Sequence, residues 1–203
     1  MGRENKQIIR LVFFLLFSAA CKKDKPAPLT TPPTSAGNDI YIVCEGSLGN
    51  GNASLSLYDA EARQSYEDIY KTANNNQSLG DVFQSMVRIG DKLFLCINNS
   101  DKILVINHAD HKLSGTISVP KPRYILPINE TKAYVSTLFS NKVYIINPAT
   151  YTVTGNFSMP YQNPEGMLLF NNNAYICTWD TACSKLYKVN TATDKIEQEI
   201  DLA

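Results

Sequence analysis

Short runs along the chain alternate between two faces, and both faces are apolar. In residues 142–147, KVYIIN, Val143 and Ile145 alternate with Tyr144 and Ile146. In residues 132–138, KAYVSTL, Tyr134 and Val135 fall on opposite sides. Runs of this length, rich in β-branched and aromatic residues and punctuated by Asn, Gly, Pro and Asp, predict strands. Strands that are apolar on both faces need a cover on each side. One short helix is expected near residues 79–86, and no longer one.

The strand pattern repeats. Residues 101–117 read DKILVINHADHKLSGTI, and residues 141–157 read NKVYIINPATYTVTGNF. Asp101, Lys102, Ile106, Asn107 and Gly115 align with Asn141, Lys142, Ile146, Asn147 and Gly155. Residues 173–200 follow the same plan with a two-residue insertion before Lys185, and residues 39–59 follow it loosely. Tyr41, Phe94, Tyr134 and Tyr175 align, as do Asp59, Asn107, Asn147 and Asn190. A self-similar period of about 40 to 45 residues marks stacked repeat units. Each unit offers four strands; for the third these are expected near 124–129, 132–138, 142–147 and 151–158. Small sheets packed face to face around an axis satisfy this pattern, which predicts an all-β class and a β-propeller. A TIM barrel or Rossmann fold would need helices between the strands. The blades are placed at about 39–72, 82–119, 123–159 and 164–202, with the first lacking its innermost strand. Residues 39–203 are read as the N-terminal part of a longer seven- or eight-bladed ring. The alternative is a closed four-bladed ring. An open half-ring would expose one apolar blade face at each end and is expected to aggregate or associate.

The N-terminal stretch belongs to targeting rather than to the fold. Arg3, Lys6 and Arg10 precede the apolar run LVFFLLF at residues 11–17, and SAA then leads to Cys21. This is the order of a secretory signal, and its apolar segment is too short to span a membrane. Ser18-Ala19-Ala20-Cys21 resembles a bacterial lipobox, with Ser18 where an aliphatic residue is usual. Residues 1–20 are therefore expected to be removed and Cys21 lipidated. Residues 21–38, rich in Pro, Thr and Ser, read as a tether.

The chain balances 19 Lys and Arg against 19 Asp and Glu. With no basic block, nucleic acid is not an expected partner. Export would place Cys44, Cys96, Cys177 and Cys183 in an oxidising compartment, where pairing can occur. Cys177 and Cys183 flank one loop and are the candidate disulfide. The spacing of the cysteines does not read as a zinc site.

The segments YIVCEGSLGNGNASLSLYD and LGDVFQSMVRIGDKLFLCINNSDKILVIN carry a family resemblance. Glu45-Gly46, a Gly/Asn loop, Asn52-Ala53-Ser54, Leu79-Gly80-Asp81 and Gln84-Ser85 are similar to the opening blades of YncE-like propeller lipoproteins of Bacteroides-type bacteria, the DUF5074 group. Cys44 stands where that group more usually has Asn. The resemblance implies an outer-membrane, lipid-anchored protein at the cell surface, with the periplasmic face as the alternative. It also implies capture of a small ligand near a TonB-dependent transporter. One branch of the group captures corrinoids, which makes a corrinoid the leading ligand.

In a propeller, loops joining the second and third strands share a rim with the loops joining blades. That rim gathers Glu45, Asn52, Asn99, Arg123, Phe139, Tyr161, Glu165, Trp179 and Asp180, the candidate ligand-binding residues. Flat rings beside amide and charged groups suit a polar, ring-bearing ligand. For each Asn, turn geometry is the competing explanation. His108 and His111 fall on the opposite rim and make a weak metal signal, so neither metal nor cofactor is expected. EGSLG is not a nucleophile elbow, and GNGNAS precedes a strand rather than a helix. The chain is thus read as a binder and not an enzyme. A protein–protein or adhesion scaffold is the first alternative, and a propeller hydrolase, lactonase-like or quinoprotein-like, the second.

Overall fold

The computed structural model describes residues 39–202. The expected signal peptide at 1–20, the tether and Cys21 lie outside those residues. Among the described residues are fifteen strands in four antiparallel sheets. Blade 1 is β1 (Asp39–Cys44), β2 (Ser54–Asp59) and β3 (Gln64–Tyr66). Blade 2 is β4 (Phe83–Ile89), β5 (Lys92–Ile97), β6 (Lys102–Asn107) and β7 (Leu113–Ser118). Blade 3 is β8 (Pro122–Asn129), β9 (Lys132–Thr137), β10 (Lys142–Asn147) and β11 (Thr152–Ser158). Blade 4 is β12 (Pro164–Phe170), β13 (Asn173–Thr178), β14 (Lys185–Asn190) and β15 (Lys195–Asp201). Each blade is a meander, and blade 1 starts at the second-strand position, as its alignment required.

The helix is not where the sequence suggested it. It is α1, Ile69–Ala73, and it buries Ile69 and Tyr70. Residues 79–82 form a loop instead, because Gly80 has φ +125° and a Cβ there would lie 2.6 Å from Ser100 Oγ. That conformation suits glycine and stops a helix. β4 then begins at Phe83, inside the span where the helix was expected.

Three hydrophobic clusters fill the spaces between successive blades. Leu55 and Leu57 of blade 1 meet Leu93, Leu95, Ile97, Leu104 and Ile106 of blade 2. Phe94, Cys96, Ile103, Val105 and Ile117 on the other face of blade 2 meet Ala133, Val135 and Ile146 of blade 3. Tyr134 and Val143 of blade 3 meet Ala174, Ile176, Tyr187 and Val189 of blade 4. The alternation seen in the sequence is thus used twice per strand, once toward each neighbour. Burying a side chain of this size contributes about 1.5–3 kcal/mol, so each joint is a core of its own. Burial pushes the Cys96 thiol up to about 12.

The outer faces of the end blades are uncovered among the described residues. Leu168 and Phe170 of blade 4 are 64% and 58% exposed, and Ile40 and Ile42 of blade 1 are 55% and 43% exposed. This is the apolar exposure expected of an open arc.

Candidate functional site

The shared rim is held together by backbone bonds from the β-loops to the blade connectors. Phe83 N donates to Glu45 O at 3.1 Å, Asn99 N to Asp81 O at 3.0 Å, and Leu138 N to Lys121 O at 3.0 Å. Trp179 N donates to Asn163 O at 2.7 Å. The loops named in the sequence reading therefore sit on one edge of the arc, in three groups.

The first group lies at the starts of the innermost strands β4, β8 and β12. Arg123 Nε donates to Glu165 Oε2 at 3.0 Å, and Nη2 donates to Glu165 Oε1. Arg123 Nη1 donates to Gln84 Oε1, and Ser85 Oγ donates to the Arg123 carbonyl. The Arg123 and Glu165 side chains are only 15% and 22% exposed. The Glu165 carboxylate holds the guanidinium above its usual range, and Glu45 adds to this. One forked ion pair thus joins blades 3 and 4, and the same guanidinium reaches blade 2 through Gln84, a geometry that Arg supplies and Lys does not. Arg123, Glu165 and Glu45 were named from sequence. Gln84 was not, although its adjacency to Ser85 in a shared motif was the available signal.

The second group surrounds Asp81. Its Oδ2 accepts from Gly49 N at 2.8 Å and from Asn99 Nδ2, while Lys121 Nζ donates to Asn99 Oδ1 at 2.9 Å. The Asn99 bond holds the Asp81 carboxyl below the usual carboxylate range. Asn52 Oδ1 accepts from Ser47 N at 2.7 Å. Asn52 and Asn99 are therefore engaged in holding loops.

The third group is the open one. Phe139 and Trp179 are 76% and 65% exposed, the highest values among the large aromatic rings. One residue positions both loops: Asn163 accepts through Oδ1 from Phe139 N at 2.7 Å and through its carbonyl from Trp179 N. Asn163 has φ +55°, a left-handed conformation that Asn tolerates well. Nothing in the local sequence marks it out, since any single Asn in a turn looks like punctuation. Asp180 accepts from Gln162 N at 3.3 Å and Ala182 N at 3.0 Å, bracing the Trp179 loop from inside. Tyr161 packs against the core between blades 3 and 4.

The Cys177–Cys183 bridge is not formed; both are free thiols. Cys177 pairs across from Leu186 on the uncovered face of blade 4, with its thiol 3.5 Å from Gly166 O. Cys183 packs into the blade 3–blade 4 core, 3.9 Å from the Tyr187 hydroxyl. The two sulfurs lie on opposite faces of one sheet. His108 and His111 sit in the turn between β6 and β7, away from this rim, with His111 fully buried.

A family model described as a domain of unknown function, DUF5074, matches residues 38–203. The chain belongs to the DUF5074 family. No curated protein matches it by sequence. Solved propeller structures resemble this DUF5074 chain in fold. Hydrazine synthase of Kuenenia stuttgartiensis is 15% identical with a TM-score of 0.65, over 90% of this chain and 51% of that one. Apo AztD from Citrobacter koseri is 14% identical with a TM-score of 0.56, over 85% and 48%. BamB from Moraxella catarrhalis is 10% identical with a TM-score of 0.56, over 83% and 51%. The chain spans about half the length of these structures. Among the described residues no helix is long and apolar enough to cross a membrane.

Proposed function

We propose that this DUF5074 propeller is a lipid-anchored binder at the bacterial outer membrane whose rim captures a small, polar, ring-bearing ligand for a TonB-dependent transporter. A corrinoid is the leading ligand, and Cys21 carries the anchor. The observation that carries this reading is the pair of exposed rings, Phe139 and Trp179, on loops fastened by the single residue Asn163. Exposed aromatic faces held in place in advance lower the ordering cost of binding. The Arg123–Glu165–Gln84 group at the starts of the innermost strands supplies donors and acceptors that a ringed ligand with amide or carboxylate arms would use.

The test is calorimetric titration of the purified full chain with cyanocobalamin, with a neutral oligosaccharide as the comparison. Saturable corrinoid binding that weakens at least about tenfold in Trp179→Ala, a loss of about 1.4 kcal/mol, is expected. A folded protein that binds no corrinoid removes that ligand. Binding indifferent to Trp179→Ala and Phe139→Ala together removes the rim.

A further inference from the structure

The innermost strands of blades 2, 3 and 4 begin with the same irregularity. On β4 the pairing with β5 passes from Phe83↔Ile97 to Ser85↔Cys96, so β4 carries one extra residue. On β8 it passes from Pro122↔Thr137 to Ile125↔Val135, and on β12 from Pro164↔Thr178 to Met167↔Ile176, again with one extra residue. Bulges of this kind re-aim a side chain and are over-represented beside active sites. In each blade the first residue of the strand, Phe83, Pro122 or Pro164, is buried, and the next, Gln84, Arg123 or Glu165, is partly exposed. Three equivalent positions thus hold an amide, a guanidinium and a carboxylate, bonded to one another in that order. Serine hydroxyls fix the backbone beneath them. Ser85 Oγ donates to the Arg123 carbonyl, and Ser136 Oγ donates to the Glu165 carbonyl at 3.2 Å.

This row has bonding capacity to spare. A guanidinium carries five N–H donors, and among the described residues Arg123 uses three of them. A carboxylate offers about four acceptor positions, and Glu165 takes two bonds from Arg123. Both side chains reach the surface. Glu45 lies near enough to reinforce the charge on Arg123, so two carboxylates attend one guanidinium and the local balance is negative. Tyr124, the next residue on β8, is 37% exposed. Its hydroxyl lies 3.5 Å from Gln84 Nε2, and its ring centre lies 5.9 Å from the Arg123 guanidinium carbon.

We propose that the starts of the innermost strands form a subsite for a neutral carboxamide carried on a flat ring, in which Glu165, seconded by Glu45, sets a preference for amide over carboxylate. The amide carbonyl accepts from Arg123, the amide N–H donates to Glu165, and the ring lies against Tyr124. A carboxylate in the same place would meet a guanidinium already matched by Glu165 and two like charges beside it. It would also bring no N–H for Glu165. A site built to pair both a donor and an acceptor rejects a ligand that leaves one of them unmet. The assignment rests on the proposed capture function and narrows it to the chemistry of the ligand's arm. It makes no use of Phe139 or Trp179.

Nicotinamide and nicotinate, one flat ring bearing either group, are the probes. Each is titrated into the purified full chain at neutral pH and followed by saturation-transfer NMR. Nicotinamide should bind with a dissociation constant on the order of 10 mM, as expected of so small a fragment. Nicotinate should bind at least about fivefold more weakly, the effect of one like charge at contact distance in water. The gap should close in Glu165→Gln. It should narrow in Glu45→Gln, whose side chain is exposed and can change without disturbing the ion pair. Tyr124→Ala should weaken nicotinamide at least about threefold. Far-UV circular dichroism identifies variants that keep their strands, and only those are compared. The proposal is overturned if nicotinamide fails to bind at several times the expected constant, if nicotinate binds as well, or if neither glutamine variant changes the gap. A corrinoid that fails to bind while nicotinamide keeps this pattern removes that ligand and leaves the subsite. Corrinoid binding together with any of the three contrary results removes the subsite and leaves the capture function.

Discussion

The joint between blades 2 and 3 and the joint between blades 3 and 4 are built on one plan with opposite chemistry. In the former, Phe94 and Tyr151 make a ring-on-ring contact, and Gly115 leaves room for the Tyr151 ring. In the latter, Tyr134 reaches the Asp194 carboxylate, which also pairs with Lys132 Nζ at 2.6 Å. Burial and the Asp194 carboxylate together drive the Tyr134 hydroxyl far above the ordinary range, so it stays protonated and donates. Gly155, the counterpart of Gly115, has only Ile145 Cδ1 nearby, at 3.6 Å from where a Cβ would sit. One backbone thus supports two interlocks, and a glycine is sterically required in only one of them.

The largest separation between the joints is expected from the glycines. In Gly115→Ala the new Cβ would lie 2.4 Å from Tyr151 Cδ2, and Tyr151 is held by its own backbone bond to Asn147 O. Overpacking of this kind costs about 1–3 kcal/mol. Gly155→Ala should change stability by less than about 0.5 kcal/mol. Urea midpoints of the two variants measure the difference, and equal losses would break the comparison. A second, smaller effect is expected from Tyr134→Phe, which makes the third joint resemble the second. Losing a bond to a charged group costs about 1.5–3 kcal/mol, and the remaining Lys132 pair should keep the loss near the lower end. A double-mutant cycle with Asp194→Asn sharpens this, since the second change should cost less once the hydroxyl is gone.

The smallest effect concerns pH and the joint between blades 1 and 2, where the Tyr41 hydroxyl and His111 Nε2 share a hydrogen bond at 3.0 Å. Burial holds the His111 imidazole below its usual value, and His108 adds to this, while Asp110 and Asp39 oppose it. The unfolded chain therefore takes up a proton near pH 6.5 that the folded chain refuses. Stability should be full above that pH and fall as pH drops below it, until the folded imidazole also titrates. The slope for one such group is at most about 1.4 kcal/mol per pH unit. Thermal melts between pH 7.5 and 5.5 should show the decline, and His111→Gln should remove the larger share of it.

The blades were legible because strand periodicity and turn residues are local. The strands expected at 132–138 and 142–147 are observed as Lys132–Thr137 and Lys142–Asn147. The helix expected near 79–86 is a loop and the start of β4, and the close approach of Ser100 to Gly80, 20 residues away, is not legible in the local pattern. Cys177 and Cys183 are close in sequence, but strand alternation and the intervening loop turn them to opposite faces. At the rim, Arg123, Glu165 and Glu45 were found because charged residues in propeller loops stand out. Gln84 and Asn163 were missed because their roles depend on partners about 40 and 24 residues away.

The turn between the third and fourth strands of each blade has a consequence for the order of the blades. Its first residue, Asp59, Asn147 or Asn190, accepts backbone bonds from within the turn. Its fifth residue is left free to vary: Arg63, His111, Tyr151 or Asp194. Were blade 2 to meet blade 4 in place of blade 3, Asp194 would face Phe94, which has no proton to give, and the hydroxyl bond of the native joint would be lost. Four different side chains on one scaffold make each joint chemically distinct, so exchanging neighbours would forfeit native contacts.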